Sequence, residues 1–332
     1  MGNQTTTQKQ SQLNITSTSF QSLKDLPTPL FYSQCVTHKH ELLICGGYEQ
    51  RAFGHCVVKL VDNNSKDSNQ ITLLSFGGSP FTKKYTLAMK YVSVWSNISK
   101  KSNKLNNYNQ WIPFTDNDNH SIIIGREYDD YRGGVVFDLN TFQFIKHDTL
   151  PTNNIIFYHC FVSNSENGQG QQMMTKNKQN CQILLFCFKT GLSIEYDEDN
   201  NIFKFHQLQV CDDIAPLFRY AYVCINDAIL FFGGCNNIFD ENFIVSKAVY
   251  MYSIREYKWI TFENTLPSSL TDFVAILSED STYVHIIGGH EKEILSIHMK
   301  TKVSGWRDTS NLIKLGWIDD FNKIIIKYIK MQ

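Results

Sequence analysis

The chain has 332 residues, 42% of them hydrophobic and 13% aromatic, which is enough apolar surface to bury a large core and excludes an intrinsically disordered protein. A formal charge of −1 and the lack of any long Lys/Arg run remove the electrostatic footprint that a phosphate backbone needs, so nucleic acid is excluded as a partner. The nine cysteines form no Cys-x-x-Cys pair, and several sit in apolar runs such as Leu42-Leu43-Ile44-Cys45. They read as small buried hydrophobes of a cytoplasmic, reducing environment, with no metal or cofactor role.

Residues 1–18 are Thr/Gln/Ser-rich and read as a disordered tail. Met1-Gly2-Asn3-Gln4-Thr5-Thr6 fits the pattern for myristoylation of Gly2. A single acyl chain with only Lys9 nearby supports no more than weak, reversible membrane association. Next comes Phe20, followed after five residues by Leu26-Pro27, a copy of Phe144 and Leu150-Pro151 with no strands ahead of it. Such an orphan outer strand is what a closed ring needs to complete its last unit.

From residue 27 short apolar runs ending in glycine recur. Leu42–Gly47 closes the inner half of a first unit (27–54) with Gly46 and Gly47, and Leu73–Gly78 does so for a second (55–113) with Gly77 and Gly78. The third unit (114–151) carries Ile122-Ile123-Ile124-Gly125, and the fourth (157–208) carries Ile183-Leu184-Leu185-Phe186 running to Gly191. Ile229–Gly234, with Gly233 and Gly234, marks the fifth (216–267), and Val284–Gly289, with Gly288 and Gly289, the sixth (271–306). Each run is too short for a helix and rich in strand formers, so each predicts a buried strand closed by a turn. Phe137 and Phe144, Tyr196 and Phe203, and Tyr252 and Trp259 are each separated by six residues around a polar stretch, which predicts hairpins whose two aromatics pack on one face; Trp306 serves the last unit. Leu-Pro then links one unit to the next.

Two units are short. After Gly47 only Tyr48 to Gly54 precede His55-Cys56-Val57-Val58, and Arg132-Gly133-Gly134 runs straight into Val135-Val136-Phe137, so about one hairpin is missing at each place. Ser96 to Gln110 and Ser165 to Asn180 are polar insertions expected to be solvated loops. In 307–332, Trp317, Phe321, Ile325 and Tyr328 fall at helical spacing and predict an amphipathic helix, the alternative being a strand at Ile324-Ile325-Ile326.

Strand, strand with glycine, aromatic strand, tip and aromatic strand together make one blade of a propeller. The pattern resembles the kelch family, most clearly over 215–306, where two complete units stand in tandem. The resemblance implies an all-β kelch-type β-propeller of about six four-stranded blades, some truncated, spanning 19–306. It further implies a non-enzymatic scaffold or adaptor for a protein partner, serving ubiquitin ligases or actin and other cytoskeletal proteins, and a monomer.

Chemistry finds little support. A copper site of the galactose-oxidase kind needs Tyr, Cys and His converging on the axis, and His38, His40 and His285 read as surface or core residues. The Ser-x-Asp-x-Gly-x-x-Trp turns of sialidases are absent. Asp197, Asp199 and Asn201 open like a calcium loop, but Ile202 and Leu208 occupy the positions that need glycine and glutamate. Function is expected in loops leaving the glycine turns: Tyr48 and Arg51; Arg126, Asp129, Asp130 and Arg132; Asn236 and Asn237; His290, Glu291 and Lys292. The alternatives are a metal- or carbohydrate-dependent propeller enzyme and a truncated product that does not fold alone.

Overall fold

The computed structural model describes residues 20–38, 41–46, 55–60, 70–77, 85–93, 95, 108–124, 133–139, 141–154, 156, 158–164, 181–237, 243–306 and 329–331, to which every structural statement below refers. These form β-strands, with one 3-10 turn at Val303–Trp306.

The first strand, β1 (Gln21–Ser22), stands apart from β2 (Ser33–His38) and β3 (Glu41–Gly46), which make a two-stranded sheet. A four-stranded sheet follows in simple order: β4 (His55–Leu60), β5 (Gln70–Gly77), β6 (Tyr85–Val92) and β7 (Ile112–Pro113). Then come β8 (Gly133–Asp138) and β9 (Gln143–Thr149). Two more complete sheets are β10 (Cys160–Asn164) to β13 (Ile202–Gln207), through β11 (Cys181–Cys187) and β12 (Thr190–Asp197), and β14 (Ala221–Ile225) to β17 (Lys258–Thr261), through β15 (Ala228–Phe232) and β16 (Val249–Ser253). The last is built from β18 (Val274–Leu277), β19 (Tyr283–Ile287) and β20 (His298–Lys302). Its fourth strand is β1, with Gln21 opposite Lys300 and Ser22 opposite Met299.

Four sheets are thus complete four-stranded blades of a propeller-like ring, rather than the six expected from the repeat. The two exceptions are the two short units: β2–β3 has no outer hairpin, and β8–β9 has no inner one. Gly133 and Gly134 open the third strand of their unit instead of closing the second. First strands of successive sheets stand side by side, β14 by β18, β18 by β2 and β2 by β4, so the chain's beginning meets its last blade.

The C-terminal helix expected over 307–332 is corrected at its end. Ile329–Met331 form a strand, β21, antiparallel to β8, with Ile329 opposite Val136 and Met331 opposite Gly134. The physical reason is the open edge of β8, whose unpaired backbone groups are a template for any extended segment within reach. Residues 307–328 lie outside the described residues.

Continuous apolar runs, rather than alternating ones, follow from burial on both faces. In Ile229-Leu230-Phe231-Phe232, Ile229 and Phe231 pack with Leu184 and Phe186 of the preceding blade, whereas Leu230 and Phe232 pack with Val284 and Ile286 of the next. The aromatic pairs are directly opposed across their hairpins: Tyr252–Trp259 and Tyr196–Phe203 with centroids 5.1 Å apart, Phe137–Phe144 at 4.9 Å. Two residues ahead of each second aromatic, Tyr257, Asn201 and Phe142 hold φ of 55°, 54° and 58°, the left-handed step that closes the tip. Trp306 lies in the 3-10 turn, its rim filled by Phe20, Phe232 and Phe262.

Candidate functional site

Four short segments lead into first strands in one way: Leu30-Phe31-Tyr32, Ile156-Phe157-Tyr158, Leu217-Phe218-Arg219 and Leu270-Thr271-Asp272. Ile156, Leu217 and Leu270 are buried and pin the segment, and the third residue is left-handed in every case, at φ of 56°, 50°, 54° and 57°. The backbone is relayed from blade to blade at this level. Tyr32 N–H donates to the Asp272 carbonyl at 3.2 Å, and Asp272 N–H donates to that of Arg219 at 3.1 Å.

The side chains converge. Arg219 Nη1 lies 3.3 Å from Asp272 Oδ2, and the two side chains are 17% and 3% exposed. The guanidinium lies over the rings of Tyr158, at 4.8 Å, and Tyr32, at 5.5 Å, and those rings stack on each other with centroids 5.8 Å apart. Asp272 Oδ1 and Arg219 Nε are buried without a hydrogen-bond partner. Burial pushes the Asp272 carboxyl up to about 7, the attraction of Arg219 only partly opposing it, and burial likewise raises the Tyr32 hydroxyl.

Aromatic side chains continue outward from this pair. Phe31 packs on Tyr32 at 4.7 Å, His290 lies 6.2 Å from both Phe31 and Phe243, and Phe188 stacks on Phe218 at 4.7 Å with Lys189 Nζ over its ring. Tyr158 is 44% and Ile244 68% exposed. The result is a face of partly exposed aromatics centred on Arg219, at the glycine-turn end of the ring.

Of the residues expected to bind a partner, His290 belongs to this face. Asn236 holds its loop, Oδ1 accepting from Ile244 N–H at 2.8 Å, with Asn237 next to it. Glu291 and Lys292 are exposed beyond His290. Tyr48, Arg51, Arg126, Asp129, Asp130 and Arg132, with Gly2, Gly47 and Gly78, lie outside the described residues. Tyr32, Tyr158, Arg219 and Asp272 escaped the sequence reading because no single residue type recurs at the position, which holds two tyrosines, an arginine and an aspartate. The signal was the aliphatic residue two positions ahead of each: Leu30, Ile156, Leu217 and Leu270.

Among the described residues one group of three side chains could hold a metal, Asp116, Asp118 and His120. Asp116 Oδ1 is already occupied by the N–H groups of Asp118 and His120 within the same turn. The tip at Asp197 is closed in the same manner by Asn200. No helix among the described residues is long and apolar enough to cross a membrane.

No protein-family model matches the chain, and no curated protein matches it. Among solved structures, that of YjhT is similar with a TM-score of 0.46 and 13% identity, over 83% of this chain and 95% of that one. The propeller assignment stands on the sheet order and strand register described above.

Proposed function

We propose that the chain is a kelch-type propeller of six units, two of them truncated, that works as a non-enzymatic interaction module for a protein partner. The observation that carries this reading is the aromatic face around Arg219. Tyr and Arg are among the side chains that dominate protein-protein hot spots and Phe is enriched in interfaces, and here Tyr32, Tyr158 and Arg219 are held on a rigid scaffold by left-handed turns. The buried Arg219–Asp272 pair supplies a fixed polar centre, and the more exposed Tyr158 and Ile244 supply apolar area around it. On this reading the protein is a cytoplasmic monomeric adaptor, serving a ubiquitin ligase or the cytoskeleton, and a myristate on Gly2 would add weak membrane affinity.

The test is affinity capture with quantitative mass spectrometry on three forms: wild type, Tyr158→Ala with Ile244→Ser, and Trp95→Ala. Trp95 is 82% exposed and follows β6 at the opposite end of the blades, so it controls for that face. The partner set should disappear with the double variant and persist with Trp95→Ala. Retention by the double variant, or loss by Trp95→Ala alone, rejects the glycine-turn face as the binding surface.

A further inference from the structure

His285 and His298 occupy positions that are aliphatic in the preceding blade. His285 stands three residues before Gly288 as Leu230 stands three before Gly233, and His298 is opposite Ile287 as Val249 is opposite Phe232. Lys300, opposite His285, matches Met251, opposite Leu230. Leu230, Val249 and Met251 are buried against a complete neighbouring blade. The sheet that follows β18–β20 in the ring is β2–β3, only two-stranded among the described residues, and both imidazoles on the face toward it are half-buried.

The two rings meet. His285 Nδ1 lies 3.0 Å from His298 Nε2, on neighbouring strands of one sheet. Burial lowers the pKa of both rings, helped at His285 by His298 and then Lys300, and at His298 by Lys300. Both are therefore neutral at pH 7, the state in which imidazole ligates a metal. Lys300 Nζ lies 4.2 Å from the centre of the Tyr283 ring, so its charge is held by that π face.

We propose that His285 and His298 form a binding site for a late first-row divalent cation. Two nitrogens each about 2.0–2.1 Å from one metal are about 2.9 Å apart when the angle between them is 90°, and about 3.4 Å apart when it is tetrahedral. The observed 3.0 Å is a hydrogen bond between the rings and falls within this span, so both nitrogens can reach one ion after a small opening, and imidazole donors then favour Ni2+ and Cu2+ by the general affinity order. The accepting nitrogen already carries its lone pair, and a tautomer change in the donating ring moves that ring's proton to its other nitrogen, so both nitrogens can ligate without net proton release from the neutral pair, and the remaining positions are open to water or a partner's side chain.

Calorimetric titration of the full-length, tag-free chain with Ni2+ tests the site. Copper EPR then counts the nitrogen ligands. One equivalent of Ni2+ should bind, with two nitrogens seen for Cu2+. His285→Asn and His298→Asn should each weaken binding by more than about tenfold, since even outer-shell partners of a metal are worth about 10–100-fold. Asp118→Asn with His120→Ala should bind like wild type. Absence of binding, fewer than two nitrogens, or affinity that follows Asp118 and His120 instead would overturn the proposal. If either His→Asn variant fails to give a cooperative melt, the EPR count on wild type decides alone.

Discussion

Leu30 stands to Gly288 as Leu270 stands to Gly233: in each pair a β-carbon on the glycine would lie 2.3 Å from the leucine's carbonyl oxygen. The surrounding bonds repeat as well. Leu30 N–H donates to Leu295 and Leu270 N–H to Ser246, and Leu26 N–H donates to Ser296 and Leu266 N–H to Lys247. Leu270 enters the last blade directly along the chain, whereas Leu30 lies some 260 residues before Gly288 in sequence. The chain's own beginning therefore fills the place of a next unit, and this closes the ring.

Replacing Gly288 with Ala should consequently damage closure more than an ordinary surface change. The residue holds φ of 66°, and the clash is with backbone, which cannot rotate away. We expect a loss of about 2–4 kcal/mol in urea unfolding, from a strained left-handed residue plus displacement of the Leu30 segment. Gly233→Ala, in the same environment, should cost a similar amount. A loss below about 0.5 kcal/mol at either site would contradict the equivalence of the two joints.

Closure also predicts the effect of removing residues 1–22. That deletion strips β1 from β20 and Phe20 from Trp306, leaving a strand edge and a large indole uncovered. The shortened chain should melt earlier than wild type and associate in light scattering, and Phe20→Ala alone should lower the melt without causing association. A deletion protein that melts like wild type would mean that β1 contributes nothing to closure.

Asp272 gives a pH test. Its folded-state pKa, about 7, lies above the ordinary 3.8, so the folded state holds a proton that the unfolded chain has released. Its contribution to stability is fully present below about 3.8 and is lost as pH rises through 7. Between pH 5 and 8 the loss is on the order of 2–3 kcal/mol at about 1.4 kcal/mol per pH unit. Asp272→Asn removes this slope. His285 and His298, with lowered pKa values, act in the opposite sense and lose stability as pH falls, so the readout is the difference between variant and wild type. That difference should favour wild type less at pH 8 than at pH 5, and a difference constant with pH would sink the assignment.

Blades were legible wherever local pattern and tertiary demand coincide. A glycine doublet after an apolar run marks a turn that must be left-handed and crowded, and paired aromatics six residues apart mark a hairpin, because both constraints act within a few residues. The mouth at Arg219 was not legible, since the requirement on Tyr32, Tyr158, Arg219 and Asp272 is a backbone angle that tyrosine, arginine and aspartate all satisfy. His285 alone read as a core or surface residue. Its meaning depends on His298 across the β19–β20 connection and on a hairpin missing from a different sheet. The end of the chain misled for a related reason: helical spacing is a local property, whereas the open edge of β8 is created by residues about 200 positions earlier.

That edge carries the last prediction. Val135 and Val136 face Lys330 and Ile329 across the β8–β21 pair, so their strand is paired on both sides only while the C-terminal segment is present. Deleting residues 329–332 removes three residue pairings from a sheet whose other partner, β9, is untouched. Because only three pairings are lost, the global melt should move by no more than a degree or two, while hydrogen exchange at β8 amides rises by at least about tenfold, the equivalent of about 1.4 kcal/mol of local protection. The freed edge should also raise the tendency to self-associate, which the added peptide Ile329–Gln332 in trans should suppress only weakly, a four-residue strand being unable to offset its own ordering entropy. Unchanged exchange at β8 after the deletion would mean that β21 does not hold that edge in solution.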